Sequence, residues 1–266
     1  MTVRPHPFFS GALFARKSCF VYLPEGYEDT DQCYPVIYLL HGMYGSESHW
    51  LLKGNAEQTL DRMISTSQLR KSIVVMPNDG EYGLGTFYMD WYDGTGNFEQ
   101  YFIYDLIPDI DKHYRTIKAA HSRAVCGLSM GGFGAFSLSL RNPGLFGAAA
   151  SLSGALTSTA YVAERFSRSD VARMIGPLQG PYAQEYDLQV CASKRVMDEQ
   201  RPALYFDCGT EDFLYNTNAD YHEHLNQIGY AHKYQQFPGE HNWKYWTEHL
   251  PDALSFIEDY FASQDK

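Results

Sequence analysis

The strongest chemical signal in this sequence is a serine flanked by glycines, in the run Gly127-Leu128-Ser129-Met130-Gly131. A short apolar run precedes it and a helix-like segment follows it. In a G-x-S-x-G turn the strand bends sharply into a helix, and glycines are needed where the two elements crowd each other. The serine hydroxyl is then exposed near a helix N-terminus, where developing negative charge is stabilised. The pattern favours a nucleophilic serine over an ordinary tight turn with a passive one.

A serine alcohol needs a base that takes its proton during attack. His241 lies in the run Pro238-Gly239-Glu240-His241-Asn242-Trp243, directly after the last predicted strand. That position fits the order serine, acid, histidine expected of this architecture. His41 follows a core strand but comes too early in the chain. We therefore predict that His241 is the base.

The third member should be a carboxylate in the loop after the penultimate strand, where it can orient the imidazole. The predicted strand 203–208 is followed by Gly209-Thr210-Glu211-Asp212. We favour Asp212, which has the loop position. Glu211 is its chief rival, and Asp207 lies inside the strand, where a carboxylate needs a partner.

The oxyanion of a tetrahedral intermediate requires two backbone N–H donors. One should be Met130, directly after the nucleophile. The other should come from the turn His41-Gly42-Met43-Tyr44-Gly45 that follows the strand 36–40. We predict Met43, with Gly42 as the alternative.

Short apolar runs bounded by Gly, Pro or Asn recur along the chain and alternate with segments of helical periodicity. The middle runs are almost continuously apolar, as in central strands covered on both faces. The pattern predicts an α/β fold with a mostly parallel, doubly wound sheet and an antiparallel N-terminal edge before Pro35. The predicted strands are 18–23, 36–40, 72–76, 123–126, 148–152, 203–208 and 233–237, and the predicted helices are 55–65, 98–114, 130–141, 161–175, 217–228 and 243–262.

The connection 155–202 is too long for an ordinary loop. It contains the predicted helix 161–175 and a Gly/Pro-rich link at 176–181. We interpret the segment as a cap over the site, inserted into one domain that spans 1–266.

Composition restricts the possible partners. The chain has 266 residues with 21 basic and 32 acidic side chains, which gives a net charge of −11. That charge repels nucleic acid and anionic lipid. No apolar run is long enough to span a membrane, and the N-terminus lacks the apolar segment of an export signal. With five widely spaced cysteines, these features predict a cytoplasmic protein with reduced thiols. Asp105, Asp109 and Asp111 are expected to form a solvated helix face, and we predict no metal site.

Six stretches resemble the esterase D-like branch of the α/β-hydrolases, and most closely the bacterial tributyrin-type carboxylesterases. They span nearly the whole chain: HGMYGSESHW (41–50), IVVMPND (73–79), YDLIPDIDKHY (104–114), GLSMGGFGAF (127–136), CGTEDFLY (208–215) and PGEHNWKYW (238–246). The resemblance implies the α/β-hydrolase fold, cleavage of short-chain acyl esters and no cofactor. S-formylglutathione hydrolases typically have SGLTC where this chain has HGMYG, which lowers that assignment.

The sequence thus predicts a serine carboxylesterase for small-molecule esters. Feruloyl or acetylxylan esterases, S-formylglutathione hydrolases and acyltransferases remain alternatives with the same machinery, and a non-catalytic binding module is an alternative of another class. A homo-oligomer is possible. We expect the substrate to contact Gly42 and several aromatic side chains: Tyr44, Trp50, Tyr82, Trp91 and Tyr92.

Overall fold

A computed structural model describes residues 1–83, 85–157 and 169–265, the side chains of 169 and 170 excepted. Its centre is an eight-stranded sheet with the order β1-β2-β4-β3-β5-β6-β7-β8. The strands are β1 (Thr2–Ser10), β2 (Ala15–Leu23), β3 (Val36–Leu40), β4 (Ile73–Pro77), β5 (Arg123–Leu128), β6 (Ala148–Leu152), β7 (Ala203–Gly209) and β8 (His232–Phe237).

Strands β3 to β8 are parallel, whereas β1 pairs antiparallel with β2 and β2 antiparallel with β4. This confirms the predicted α/β-hydrolase sheet with an antiparallel N-terminal edge. Strands β3 to β6 are buried along their whole length because helices cover both faces, which explains their continuous apolar sequence.

Strand β1, which contains Pro5 and Pro7, is not among the strands predicted from the sequence. Proline cannot donate a ladder hydrogen bond, so it weakens a strand pattern in sequence. An edge strand tolerates proline because one side of its backbone has no partner strand. Here Pro5 lies opposite Phe20 and Pro7 opposite Ser18 on the single neighbour, β2.

Helices pack on both faces of the sheet. Those described are α1 (His49–Leu52), α2 (Ala56–Ser65), α3 (Phe98–Gln100), α4 (Ile107–His113), α5 (Met130–Arg141), α6 (Ser169–Ile175), α7 (Pro181–Glu185), α8 (Leu188–Arg195), α9 (Tyr215–Ile228) and α10 (Trp243–Ser263). A π-helical stretch, Tyr101–Leu106, joins α3 to α4, so the helical pattern predicted at 98–114 continues through a change of pitch. Most of the helix predicted at 161–175 lies outside the described residues. Within the described chain, no helix has the length and apolar character that a membrane crossing requires.

The connection from β6 to β7 carries α6, α7 and α8. Main-chain hydrogen bonds join its first described helix to the segment before α3, from Tyr92 N to Met174 O (3.0 Å) and from Asp93 N to Arg173 O (3.1 Å). Farther along, Tyr182 donates its hydroxyl to the carbonyl of Asp90 over 2.5 Å. The described part of this connection is therefore attached to the body of the fold.

Candidate active site

Ser129 lies between β5 and α5, at the carboxyl edge of the parallel strands. Its backbone has φ 54° and ψ −118°, a combination that is costly for a residue with a side chain. The flanking glycines permit the turn. A Cβ on Gly127 would collide with the main chain of Gly131, and a Cβ on Gly131 would lie 2.6 Å from the carbonyl oxygens of Leu40 and His41. The serine turn is thus packed directly against the end of β3.

Ser129, His241 and Asp212 form one hydrogen-bonded row. His241 Nε2 lies 2.9 Å from Ser129 Oγ, and His241 Nδ1 lies 2.7 Å from Asp212 Oδ2. The Asp212 side chain is fully buried. Its other carboxylate oxygen accepts a hydrogen bond from Leu214 N at 2.8 Å. The imidazole also packs against two aromatic rings, with centroids 4.5 Å from Phe213 and 4.9 Å from Trp246.

The two rival carboxylates have other partners. Glu211 accepts hydrogen bonds from Gly239 N and Thr210 Oγ1, and these bonds lower the pKa of its carboxyl group, the Gly239 bond most. It thereby ties the loop before His241 to the loop after β7. Asp207 is buried and accepts hydrogen bonds from Tyr205 and Tyr245, each over 2.9 Å. Burial raises the pKa of Asp207 to about 8.

The turn after β3 also approaches Ser129, since a Cβ on Gly42 would lie 3.3 Å from Ser129 Cβ. Met130 is the first residue of α5, so its N–H has no acceptor within the helix. Met43 N–H makes no turn or loop hydrogen bond to the main chain of the described residues. The contact of Gly131 with Leu40 and His41 brings the two segments together.

A cavity of about 490 Å³ opens at Ser129. The residues that line it come from the turn after β3, from helix α1, from the serine turn and from the two loops that carry Asp212 and His241. They are Gly42, Met43, Tyr44, Gly45, His49, Lys53, Phe87, Leu128, Ser129, Met130, Ala155, Phe213, Leu214, His241, Asn242, Trp243 and Trp246.

Of the residues predicted to contact the substrate, Gly42 and Tyr44 line this cavity, whereas Trp50, Tyr82, Trp91 and Tyr92 do not. Trp50 is only 1% exposed and Trp91 only 4% exposed. The indole N–H of Trp50 donates to the Leu40 carbonyl (2.9 Å), and that of Trp91 donates to the Thr86 carbonyl (3.2 Å). Both rings pack in the interior with their polar edges satisfied. Trp50 instead supports Trp243, whose ring centroid lies 5.4 Å away.

Sequence reasoning missed most of the cavity wall. Phe213 follows Asp212, and Asn242 and Trp243 follow His241, so proximity to the predicted residues could have identified them. His49 and Lys53 are not next to any predicted catalytic residue in the sequence, so nothing there pointed to them. Of the predicted cap 155–202, only Ala155 lines the cavity among the described residues.

The aspartates of the expected solvated helix face instead bind protein groups. Asp105 accepts a hydrogen bond from Ser10 Oγ at 2.6 Å. Asp111 pairs with Arg123 at 2.8 Å. Asp109 lies beside His6 and His113, and ligand atoms of these three residues are within 4.8 Å of one another. This is the group of described residues that could hold a metal ion, and none of its members lines the cavity at Ser129.

The sheet, the serine turn and the carboxyl-edge loops are those of the α/β-hydrolases. A family model described as "Putative esterase" matches residues 10–257. The chain belongs to this esterase family and is a carboxylic ester hydrolase.

Known relatives and a solved structure support this assignment. An endo-1,4-beta-xylanase/feruloyl esterase of Xylanibacter ruminicola is 36% identical over 156 residues, which cover 55% of this chain and 21% of that protein. An acetyl esterase of Caldicellulosiruptor saccharolyticus is 24% identical over 233 residues, covering 83% of this chain and 82% of that protein. A solved structure of a ferulic acid esterase superimposes with a TM-score of 0.81 at 26% identity and covers 98% of both chains. The chain therefore spans about a fifth of the xylanase/feruloyl esterase and most of the acetyl esterase.

Proposed function

We propose that this chain hydrolyses short-chain acyl esters through an acyl-enzyme on Ser129, with His241 as base and Asp212 as the residue that orients it. The observation that carries the proposal is the row of hydrogen bonds, 2.9 Å from Ser129 to His241 and 2.7 Å from His241 to Asp212, at the floor of a cavity.

In the first stage Ser129 Oγ attacks the ester carbonyl carbon and its proton passes to His241 Nε2. Asp212 accepts the hydrogen bond of the Nδ1–H and stabilises the imidazolium that forms. The C–O bond to the alcohol then breaks, and His241 returns the proton to the leaving oxygen. In the second stage water attacks the acyl-enzyme while His241 again acts as base, which releases the acid and restores Ser129.

The oxyanion formed in both stages would accept hydrogen bonds from Met43 N–H and Met130 N–H. Met130 directly follows Ser129, Met43 lines the same cavity, and the elements that carry the two amides pack against each other. Loss of one such donor costs about 3 kcal/mol of transition-state stabilisation in other enzymes. Two amides that need no rearrangement would therefore supply a large part of the rate enhancement.

A short acyl group fits the surroundings of the serine. Phe87, Leu128, Ala155 and Leu214 are apolar and line the same cavity as Ser129. A feruloyl or acetyl ester of a carbohydrate is the second candidate substrate. It is favoured by the relatives, since feruloyl and acetyl esterases are among them.

The acyl panel that tests the proposal consists of acetyl, butyryl, octanoyl and feruloyl esters of one alcohol. We expect kcat/KM to be greatest for acetyl or butyryl and to fall for octanoyl. Ser129→Ala, which keeps the fold of the turn, should abolish turnover of every ester. Equal rates across the panel would remove the short-chain assignment, and turnover by Ser129→Ala would remove the mechanism.

We also propose that residues 155–202 form a cap on a single domain and that the protein acts in the cytoplasm. The described helices of the segment support the cap, because they are bonded to the segment before α3. All five cysteines are free and four are buried, as is common in reducing compartments. Cell fractionation tests the location: recovery of the protein outside the cell would contradict it.

A further inference from the structure

One arm of the cavity is a continuous wall of rings that begins at His241. The His241 and Trp246 ring centroids lie 4.9 Å apart, and Trp246 and Trp243 lie 5.3 Å apart. Trp243 in turn meets His49 edge-on at 6.2 Å. All four side chains line the cavity. Successive rings meet nearly at right angles, at 89°, 88° and 87°. The arm therefore offers apolar ring faces and edges over a greater length than an acetyl group needs.

Lys53 stands at the end of this wall. It follows α1, and its N–H donates to the His49 carbonyl over 2.9 Å. The next residue, Gly54, packs so closely between Trp50 and Trp243 that a Cβ there would lie 2.7 Å from the first ring and 2.9 Å from the second. The backbone of Lys53 is thus anchored to the aromatic wall, while its side chain reaches the cavity and the solvent.

The charge of this arm is opposite to that of the whole chain. The chain carries a net charge of −11, yet the described residues that line the cavity include one lysine, two histidines and no carboxylate. Burial and the charge of Lys53 lower the pKa of His49, while Glu47 opposes that shift. This shift disfavours the charged form of His49, so we assign the positive charge of the arm to the Lys53 ammonium. Glu47 already accepts a hydrogen bond from Ser18 over 3.0 Å.

The reaction assigns this arm to the alcohol part of the ester. His241 must return its proton to the leaving oxygen, so the alcohol lies on the imidazole side of the scissile bond. The aromatic wall begins on that side. We propose that the arm binds the alcohol portion of the substrate and selects alcohols that combine an aromatic group with a negatively charged group, whose counter-ion is Lys53. This inference rests on the function proposed above and adds a substrate class to it.

The test compares three acetate esters of similar phenols: phenyl acetate, 3-acetoxybenzoate and 3-acetoxy-N,N,N-trimethylanilinium. We expect the wild type to prefer the anionic ester over the cationic one. Lys53→Ala should reduce that preference about two- to fivefold, the range for a partly exposed ion pair, and Lys53→Glu should reverse it. The change should lie in KM, because the contact binds the ground state and the transition state alike. Added salt should diminish the preference.

Lys244→Ala is the matched control. Lys244 lies on α10 beside Trp243 but lines a separate surface depression together with Glu240. Lys244→Ala changes the net charge by the same amount as Lys53→Ala. Because Lys244 does not line the cavity, its removal should leave the preference unchanged. An unaltered ratio of anionic to cationic ester in both Lys53 variants would overturn the inference, and so would an equal effect of Lys244→Ala.

Two further outcomes separate this inference from the proposed function. If the wild type hydrolyses all three acetates equally well, the esterase function stands and the anionic subsite is wrong. If it hydrolyses none of them, the proposed function itself fails. A Lys53 dependence found only with an anionic acyl group, tested with 4-nitrophenyl hemisuccinate, would overturn the assignment to the alcohol side.

Discussion

The hydroxyl of Tyr88 donates a hydrogen bond to the main-chain carbonyl of His41 over 3.1 Å. The ring of Tyr88 is fully buried and packs on α5 so closely that a Cβ at Gly134 would collide with it. One side chain therefore holds together the helix that begins after Ser129 and the turn that carries Met43. The backbone of Tyr88 has φ 55°, so part of the cost of this arrangement is local strain.

Tyr88→Phe should lower kcat about tenfold and leave KM nearly unchanged. The variant keeps the ring but removes the hydrogen bond from the Tyr88 hydroxyl to the His41 carbonyl. Without this bond the turn holds Met43 N–H less firmly, so the amide binds the oxyanion less well. A loss of about 1.4 kcal/mol of transition-state stabilisation is a factor of ten in rate. Steady-state kinetics with 4-nitrophenyl acetate measure the effect.

Tyr101→Phe is the control for that variant. Tyr101 is equally buried, and its hydroxyl lies 3.2 Å from Asn78 Oδ1, which is not part of the turn. Urea unfolding should show comparable losses of stability in the two variants. An equal loss of kcat in both would show that the contact of Tyr88 with the turn has no specific role.

Asp212→Asn should reduce kcat by about four orders of magnitude, as loss of the orienting carboxylate does in other serine enzymes. An amide cannot hold the imidazole in the required tautomer. Asp207→Asn should retain most of the activity at pH 7, because Asp207 contacts two tyrosines and not His241. Kinetics of the two purified variants decide between these carboxylates. The reverse order of activities would contradict the arrangement described above.

Asp207→Asn should also change how stability depends on pH. The pKa of Asp207 is raised from 3.8 to about 8 by burial, so the folded state holds a proton that the unfolded state releases. The contribution of Asp207 to the stability of the folded state is then greatest at low pH, and it is lost progressively between about pH 4 and pH 8. Asparagine resembles the neutral acid and does not titrate. The Tm of the variant should therefore rise relative to wild type from pH 5 to pH 8, and parallel Tm curves would show that Asp207 is ionised in the folded protein.

Tyr186→Phe should cost about 1 to 3 kcal/mol of unfolding free energy with little change in kcat. The Tyr186 hydroxyl donates to the buried carboxylate of Glu99 over 2.7 Å, and Arg141 pairs with the same carboxylate at 2.9 Å. A hydrogen bond to a charged group is worth about this much. Tyr104→Phe, at a residue that is 71% exposed, serves as the control for urea unfolding. A large loss of activity without a loss of stability would place Tyr186 in the reaction.

The sequence predicted best those features that depend on local pattern. Strand β5 and helix α5 were recognised because a buried strand, a glycine turn and a helix follow one another without interruption. Asp212 and His241 were predicted to lie close together because both follow parallel strands, which end at the same edge of the sheet, and their side chains are hydrogen-bonded in the structure. Strand β1 was not predicted because its prolines interrupt the strand pattern. Its place at the edge of the sheet follows from its pairing with β2, which the sequence does not reveal.

The environment of each aromatic side chain could not be predicted from the sequence. Trp50 was predicted to contact the substrate and Trp243 was not, yet Trp50 is interior and Trp243 lines the cavity. The difference arises from the packing of α1 against the start of α10, two elements far apart in the chain. The position of Lys53 depends on that packing as well, because Gly54 lies against both Trp50 and Trp243.

The most direct measurement of the central claim is mass spectrometry of the protein after reaction with a serine-directed fluorophosphonate. We predict a single adduct, on the peptide that contains Ser129, with none on Ser129→Ala and much slower labelling of His241→Ala. Ester turnover accompanied by an adduct at another residue, or by no adduct at Ser129, would contradict the account.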